Sequence, residues 1–387
     1  MNEKSKIGLI TLFRENYGSI LQCYSLKLFV NSLNNECDVL YLNDDECLFH
    51  IDVIKRKIRT LINIILNLSF LRFLLFSKLG LNKNTLTKES ESKMEFFVDS
   101  FLKPKCVLST DLKKKEWLNQ YDYFVVGSDQ IWNVCHLVKP FSFLQFAPRK
   151  KRIAVAVSFG ISKIPWINQK KLKKALNGFD FISVREETGV EIVKKYSKAK
   201  VCRIADPTFI YDADEWREIA KITKPIEKKY ILFHFLNEPN QIAVESVKWL
   251  SEYLNLDVVA VGYNYEVLKS MNRFVYMDGN PWEYVSLIDN AEYVLTDSYH
   301  TCLFSVNFNK KFFVFSRRYV LLSQNCRIYD MLNRFKLQDR LVSDIENIKD
   351  KYLEKLPEHV KNIIEKERTD IRNFIKISIQ KKSELAV

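Results

Sequence analysis

Short runs of β-branched and aromatic residues alternate along this chain with longer stretches whose apolar positions recur at helical spacing. In the first half, Ile7 to Phe13, Val39 to Leu42, Tyr123 to Val126, Ile153 to Phe159, Phe181 to Val184 and Val201 to Ile204 are predicted strands. In the second half, Tyr230 to Phe235, Val258 to Gly262, Tyr293 to Leu295 and Phe312 to Phe315 are predicted to be the same. Helices are expected from Ile20 to about Leu33, over Gln241 to Leu254 and Tyr299 to Asn307, and after Pro281, which suits a first helical turn. Strands separated by helices predict an α/β protein with doubly wound parallel sheets. A polar, proline-containing stretch, Thr223 to Lys229, marks a linker. The expected organisation is two Rossmann-like domains facing a central cleft, 1–225 and 226–343, then a charged helical segment, 344–387. A helical insertion is expected at about 50–120.

Two of these strands end in the same way. Tyr123-Phe124-Val125-Val126 breaks into Gly127-Ser128-Asp129-Gln130, and Tyr293-Val294-Leu295 breaks into Thr296-Asp297-Ser298-Tyr299-His300-Thr301. Open α/β sheets build their sites from small polar residues and acids at the carboxyl ends of strands. His300 falls in the first turn of the predicted Tyr299–Asn307 helix, which either Ser298 or Asp297 caps, and is the first candidate for proton transfer. Asp129 and Asp297 are candidate bases or sugar ligands. Ser128, Gln130 and Trp132 are candidate substrate contacts, with Trp132 placed to stack on a sugar ring. Arg185, at the end of the Phe181 strand, either grips a phosphate or carboxylate or pairs with Glu186 or Glu187. Asp206, before Pro207, is a base or a cap at the domain hinge. Asn16, Tyr17 and Gly18 follow the first strand, where a glycine lets a ligand approach the backbone. Arg317, Arg318 and Arg327 flank the end of the Phe312 strand, as phosphate partners or solvated surface.

The chain has 387 residues, 47% of them hydrophobic, ample for two cores. Its formal charge of +13 rests on lysines scattered through helices, without a nucleic-acid motif, so anionic small molecules or an anionic membrane surface suit it better. Ile51 to Leu79, basic at its start and then strongly apolar, is too short and too interrupted by Arg72 to span a bilayer. It is expected to form a helical hairpin on the domain or a helix lying on a membrane surface. Eight cysteines show no metal-ligand spacing and sit in apolar runs, which fits a reducing compartment. The first residues lack the apolar core of a signal peptide. A cytoplasmic protein is therefore expected, with peripheral contact at the inner membrane face. No HExxH, Walker loop, GxGxxG or GxSxG occurs, and neither metal nor cofactor is expected.

Five motifs occur in order: Asn16-Tyr17-Gly18-Ser19-Ile20-Leu21-Gln22, Gly127-Ser128-Asp129-Gln130-Ile131-Trp132-Asn133, Ser183-Val184-Arg185-Glu186, Asp206-Pro207-Thr208 and Thr296-Asp297-Ser298-Tyr299-His300. Together, over roughly residues 6 to 342, they resemble the polysaccharide pyruvyl transferase family. The resemblance implies a glycosyltransferase-B-like pair of domains, phosphoenolpyruvate as donor, and a nucleotide- or lipid-linked sugar with two nearby hydroxyls as acceptor. It implies acid–base work for His300 and an anion-holding role for Arg185. Many members carry Arg-Leu-His at the last motif; here Ser298 and Tyr299 precede His300. Arg318 or Arg327 is then expected to supply the missing cation. A nucleotide-sugar glycosyltransferase and a non-catalytic scaffold for glycan assembly at the membrane surface are the alternatives.

Overall fold

The computed structural model of the protein describes residues 4–14, 16–42, 86–135, 137–221, 226–263, 265–317, 323–351 and 354–384. Residues 51–79, Arg318 and Cys47 lie outside them. Seven strands build the first sheet: β1 (Lys6–Ile10), β2 (Glu36–Leu42), β3 (Lys105–Val107), β4 (Tyr123–Val126), β5 (Arg152–Val157), β6 (Phe181–Val184) and β7 (Lys200–Arg203). All pairings are parallel, in the order β3-β2-β1-β4-β5-β6-β7. The second sheet contains β8 (Tyr230–His234), β9 (Asp257–Val261), β10 (Phe274–Met277), β11 (Tyr293–Thr296), β12 (Lys311–Phe315) and β13 (Leu341–Val342). It is also parallel, in the order β10-β9-β8-β11-β12-β13. The central strands β4, β8 and β11 are buried along their whole length, as strands covered by helices on both faces must be.

Each sheet reverses its winding once, between β1 and β4 in the first and between β8 and β11 in the second. Crevices open outside the carboxyl ends of strands at such switch points. The two polar bursts singled out in the sequence therefore stand at the two places where a doubly wound sheet can hold a ligand. Helix α1 (Tyr17–Ser32) leaves the first of these edges. Asn16 caps it, its side chain accepting from Ser19 N while the Ser19 hydroxyl receives the Asn16 N–H.

Strands β3, β10 and β13 were not anticipated, and β3 lies in a stretch expected to be helical. All three sit at or near a sheet edge. β3 is three residues long with two of them exposed, so it carries little apolar signal. Helix α2 (Lys88–Phe97) lies in the described part of the insertion and docks on the second lobe. Thr87 N donates to Gly262 O at 3.0 Å, and Ser90 Oγ and Lys93 Nζ bond Asp278. The second lobe carries α3 (Pro281–Asn290), α4 (Tyr299–Asn307) and α5 (Cys326–Phe335), and α6 (Glu358–Glu384) follows them in the chain. Helix α6 returns across both lobes: Glu367 binds Arg203 at 3.2 Å in the first and Arg334 at 3.0 Å in the second. No described helix is long and apolar enough to cross a membrane.

Candidate functional site

Arg185 is the centre of the site. It follows β6 and is only 2% exposed. Its Nη1 donates to Asp206 Oδ2 at 2.5 Å and its Nη2 to Asp129 Oδ1 at 2.9 Å, while Glu186 Oε2 stands 3.8 Å from Nε. A guanidinium this deep is tolerated only among compensating anions, because an unpaired buried charge costs several kcal/mol. Of the two sequence-level alternatives, the ion pair prevails, but chiefly with Asp206 and Asp129 rather than Glu186 or Glu187. Both terminal nitrogens are taken, so Arg185 is not a free anion clamp in this structure.

His300 comes from the other lobe. It occupies the first turn of α4, which Ser298 caps by accepting from Thr301 N. The imidazole is buried, and its Nε2 lies 3.6 Å from the same Asp206 Oδ2 that Arg185 grips. At that distance the contact is longer than a hydrogen bond. Asp206 Oδ1 accepts from the Thr208 backbone and hydroxyl, both at 3.0 Å, and Ser128 Oγ lies 3.4 Å from Oδ2. Burial pushes the Asp206 carboxyl up, but His300, the Arg185 guanidinium and the Thr208 N–H outweigh it and hold the group well below the usual carboxylate range. Asp206 therefore joins a guanidinium from the first lobe to an imidazole from the second.

Three further residues complete the cluster. The Tyr299 ring lies between two guanidinium groups, Arg185 at 4.6 Å and Arg327 at 5.5 Å. Arg327, near the start of α5, reaches Asp129 at 3.8 Å. The Gln130 amide, with its oxygen toward Arg327, accepts from both terminal nitrogens at 2.8 and 3.1 Å. Asp129 takes the left-handed backbone conformation, φ 50°, which an aspartate tolerates better than most residues. Burial raises its carboxyl, yet Arg185, His300 and Arg327 bring it below its ordinary value. Asp129 thus holds the guanidinium groups of Arg185 and Arg327 together. Burial lifts the Glu186 carboxyl despite Arg185 and Ser158 nearby. Four buried polar atoms here lack a hydrogen-bond partner among the described residues: Arg185 Nε, Arg327 Nε, His300 Nε2 and Glu186 Oε2.

The first motif enters through Gly18. A β-carbon at this position would collide with the His300 ring, so the absence of a side chain is what lets α1 and α4 meet. Tyr17 turns into the second lobe, and Asn16 is a helix cap. Gln22 Oε1 accepts from Ser128 N at 3.3 Å and ties α1 to the end of β4.

Two expected contacts take other places. Trp132 is fully buried, stacked on Phe143 at 4.7 Å with its indole N–H donating to Ser142 O, so it offers no face to a sugar. Asp297 is bonded by Leu236 N at 2.7 Å, Asn237 N at 3.2 Å and Arg317 Nε at 3.1 Å, which makes it a brace for the β8 and β11 edges. Burial pushes its carboxyl up against the pull of Arg317. Arg318 lies outside the described residues. Sequence reasoning named Glu186 only as a partner for Arg185 and missed the buried His234 at the end of β8. Among the described residues no group of three or more His, Cys, Asp or Glu is arranged to hold a metal ion.

Paired parallel sheets with facing switch points and an imidazole joined to a carboxylate across the lobes define a two-lobed α/β enzyme of the glycosyltransferase-B-like type. Solved structures share this fold. The S. aureus MnaA–UDP structure aligns over 97% of both chains at 14% identity, TM-score 0.53. The Methanocaldococcus jannaschii UDP-GlcNAc 2-epimerase aligns over 97% of this chain and 99% of its own at 12% identity, TM-score 0.51. A putative UDP-N-acetylglucosamine 2-epimerase from Listeria monocytogenes covers 95% of this chain and 91% of its own, with 9% identity and TM-score 0.51. At these identities the likeness is one of fold. None of the curated proteins matches. The family model described as polysaccharide pyruvyl transferase matches residues 16–319, and the chain belongs to that family. It is a transferase of polysaccharide biosynthesis.

Proposed function

We propose that this protein moves the pyruvyl group of phosphoenolpyruvate onto two hydroxyls of one sugar in a cell-surface polysaccharide precursor, as a cyclic ketal. The observation that carries this reading is the buried pair His300 Nε2–Asp206 Oδ2, assembled from both lobes beside Arg185 and Arg327. Such a reaction needs a proton delivered to the donor's methylene carbon, which makes the adjacent carbon electrophilic. One sugar hydroxyl adds there, inorganic phosphate leaves, and the second hydroxyl closes the ring as it loses its proton. His300 is assigned that proton traffic, with Asp206 orienting the ring. Arg185 enters by holding Asp206 and Asp129 ionised. Arg327, whose Nε lacks a hydrogen-bond partner among the described residues, is assigned the donor's phosphate or carboxylate. No cofactor is required. A cytoplasmic location, with residues 51–79 touching an anionic membrane surface, belongs to the same proposal.

The test is release of phosphate from labelled phosphoenolpyruvate against release of nucleotide from UDP-sugars. His300→Ala should lower phosphate release by about 10²–10⁴-fold with the circular dichroism spectrum unchanged. Near-normal turnover in that variant overturns the assignment, and nucleotide release without phosphate release favours a glycosyltransferase.

A further inference from the structure

Two neighbouring residues at the start of α1 do different things. Gly18 lies against the His300 ring, whereas Tyr17 crosses into the second lobe and is fully buried there. Its ring stacks on Tyr284 of α3, centroids 4.7 Å apart and planes 11° from parallel. Its hydroxyl donates to the carbonyl oxygen of Gly279 at 2.7 Å. Gly262 has φ 79°, and a β-carbon on it would strike the same hydroxyl. His234 closes β8, Gly262 follows β9 and Gly279 comes shortly after β10. The ring thus fills a flat slot at the carboxyl ends of three parallel strands, walled by bare backbone on one side and an aromatic face on another.

One atom beside the slot is not accounted for by packing. The His234 ring lies 6.1 Å from that of Tyr17, and its Nδ1 pairs with Thr301 Oγ1 at 2.9 Å. Its Nε2 is buried without a hydrogen-bond partner among the described residues. An unsatisfied buried donor or acceptor is costly, and a side chain that served only to lock the lobes would not need one.

We propose that the slot is the seat of the planar base of a nucleotide-linked acceptor sugar, a seat that Tyr17 itself fills in this structure. The inference rests on the sugar-modifying reading above and specifies a nucleotide rather than a lipid carrier. A base has what the slot asks for: a flat face for Tyr284, an N–H donor for the Gly279 carbonyl in place of the phenol, and a polar edge for His234. Carboxyl-end crevices of open α/β sheets are where such ligands sit. Because Gly18 adjoins Tyr17 along the chain, a base in the phenol's place directs its attached sugar toward His300. Phenol and base compete, so apparent affinity falls with the fraction of molecules in which Tyr17 occupies the slot.

Titration calorimetry on the full chain tests this with UMP, AMP, ribose 5-phosphate and phosphoenolpyruvate. Tyr17→Phe keeps the ring and loses one hydrogen bond, so the Kd for both nucleotides should fall about fivefold. Tyr17→Ala should lower it more than about tenfold. Ribose 5-phosphate should bind all three proteins alike, and adding Tyr284→Leu should erase the gain. Nucleotide affinity that is unchanged in both Tyr17 variants, or no better than that of ribose 5-phosphate, overturns the slot. If Tyr17→Ala does not fold, Tyr17→Phe decides alone. Phenylalanine-insensitive nucleotide binding beside normal phosphoenolpyruvate binding sinks the slot and spares pyruvyl transfer. A nucleotide gain without any phosphoenolpyruvate binding does the opposite.

Discussion

His234 shows how burial alone can set the charge of a residue. Its imidazole is buried at the end of β8, and burial, helped by Arg317, pushes its pKa down to about 3. In the unfolded chain a histidine takes up a proton near pH 6.5. Between those two values the unfolded state binds the extra proton, so stability rises with pH through that window and is lost as pH falls. The slope from this one group reaches about 1.4 kcal/mol per pH unit. His234→Gln should flatten the dependence of urea unfolding free energy on pH between about 6 and 3.5 by up to that slope. An unchanged slope would mean that the ring gains a proton in the folded state. Asp206 and Asp129 behave in the opposite sense to a buried neutral acid. Their carboxyls lie below the ordinary range, so they add stability that is fully present above about pH 4 and is lost as pH falls below it.

At the scale of elements, the meeting of α1 and α4 depends on one missing methyl. Alanine is the better helix former by about 1 kcal/mol, so propensity favours Gly18→Ala. The added carbon, however, would run into the buried His300 ring, and overpacking of this kind costs about 1–3 kcal/mol. Sterics should win. The variant is expected to lose about 1 kcal/mol of stability and more than about tenfold of turnover, because the ring shifts from Asp206. Thermal unfolding and steady-state rates check both numbers. The glycine itself was visible in the sequence as a break before a helix, but its partner was not, since the contact joins residues 282 positions apart in two lobes. The same holds for Asp206 with His300. The ends of β4 and β11 were legible because pure runs of β-formers stop abruptly at small polar residues. Trp132 was not, because an aromatic after a strand end serves equally as a ligand face or as core. The strands β3 and β13, three and two residues long, are too short to be read with any weight, whereas β10 was missed although all four of its residues, Phe274 to Met277, are apolar.

For the whole molecule, helix α6 is the strap. Glu367 lies between Arg203 of the first lobe and Arg334 of the second, and Arg334 also donates to the carbonyl oxygen of Arg185 at 2.8 Å. Removing the anion leaves the Arg334 guanidinium without its carboxylate in a mostly buried place, while Arg203, more exposed, keeps Glu187 at 3.8 Å. Glu367→Gln should therefore cost on the order of 3 kcal/mol in urea unfolding and lower turnover as well, since Arg185 loses part of its support. Equal stability of variant and wild type would show that the lobes hold together without the strap. Asp206 carries a wider consequence. Carboxylate and imidazole ride on separate halves of the chain, so any hinge motion wide enough to admit a sugar also pulls them apart. Under the proposed pyruvyl transfer an ajar molecule would be chemically idle, and the proton relay would be rebuilt each time the jaws shut on cargo.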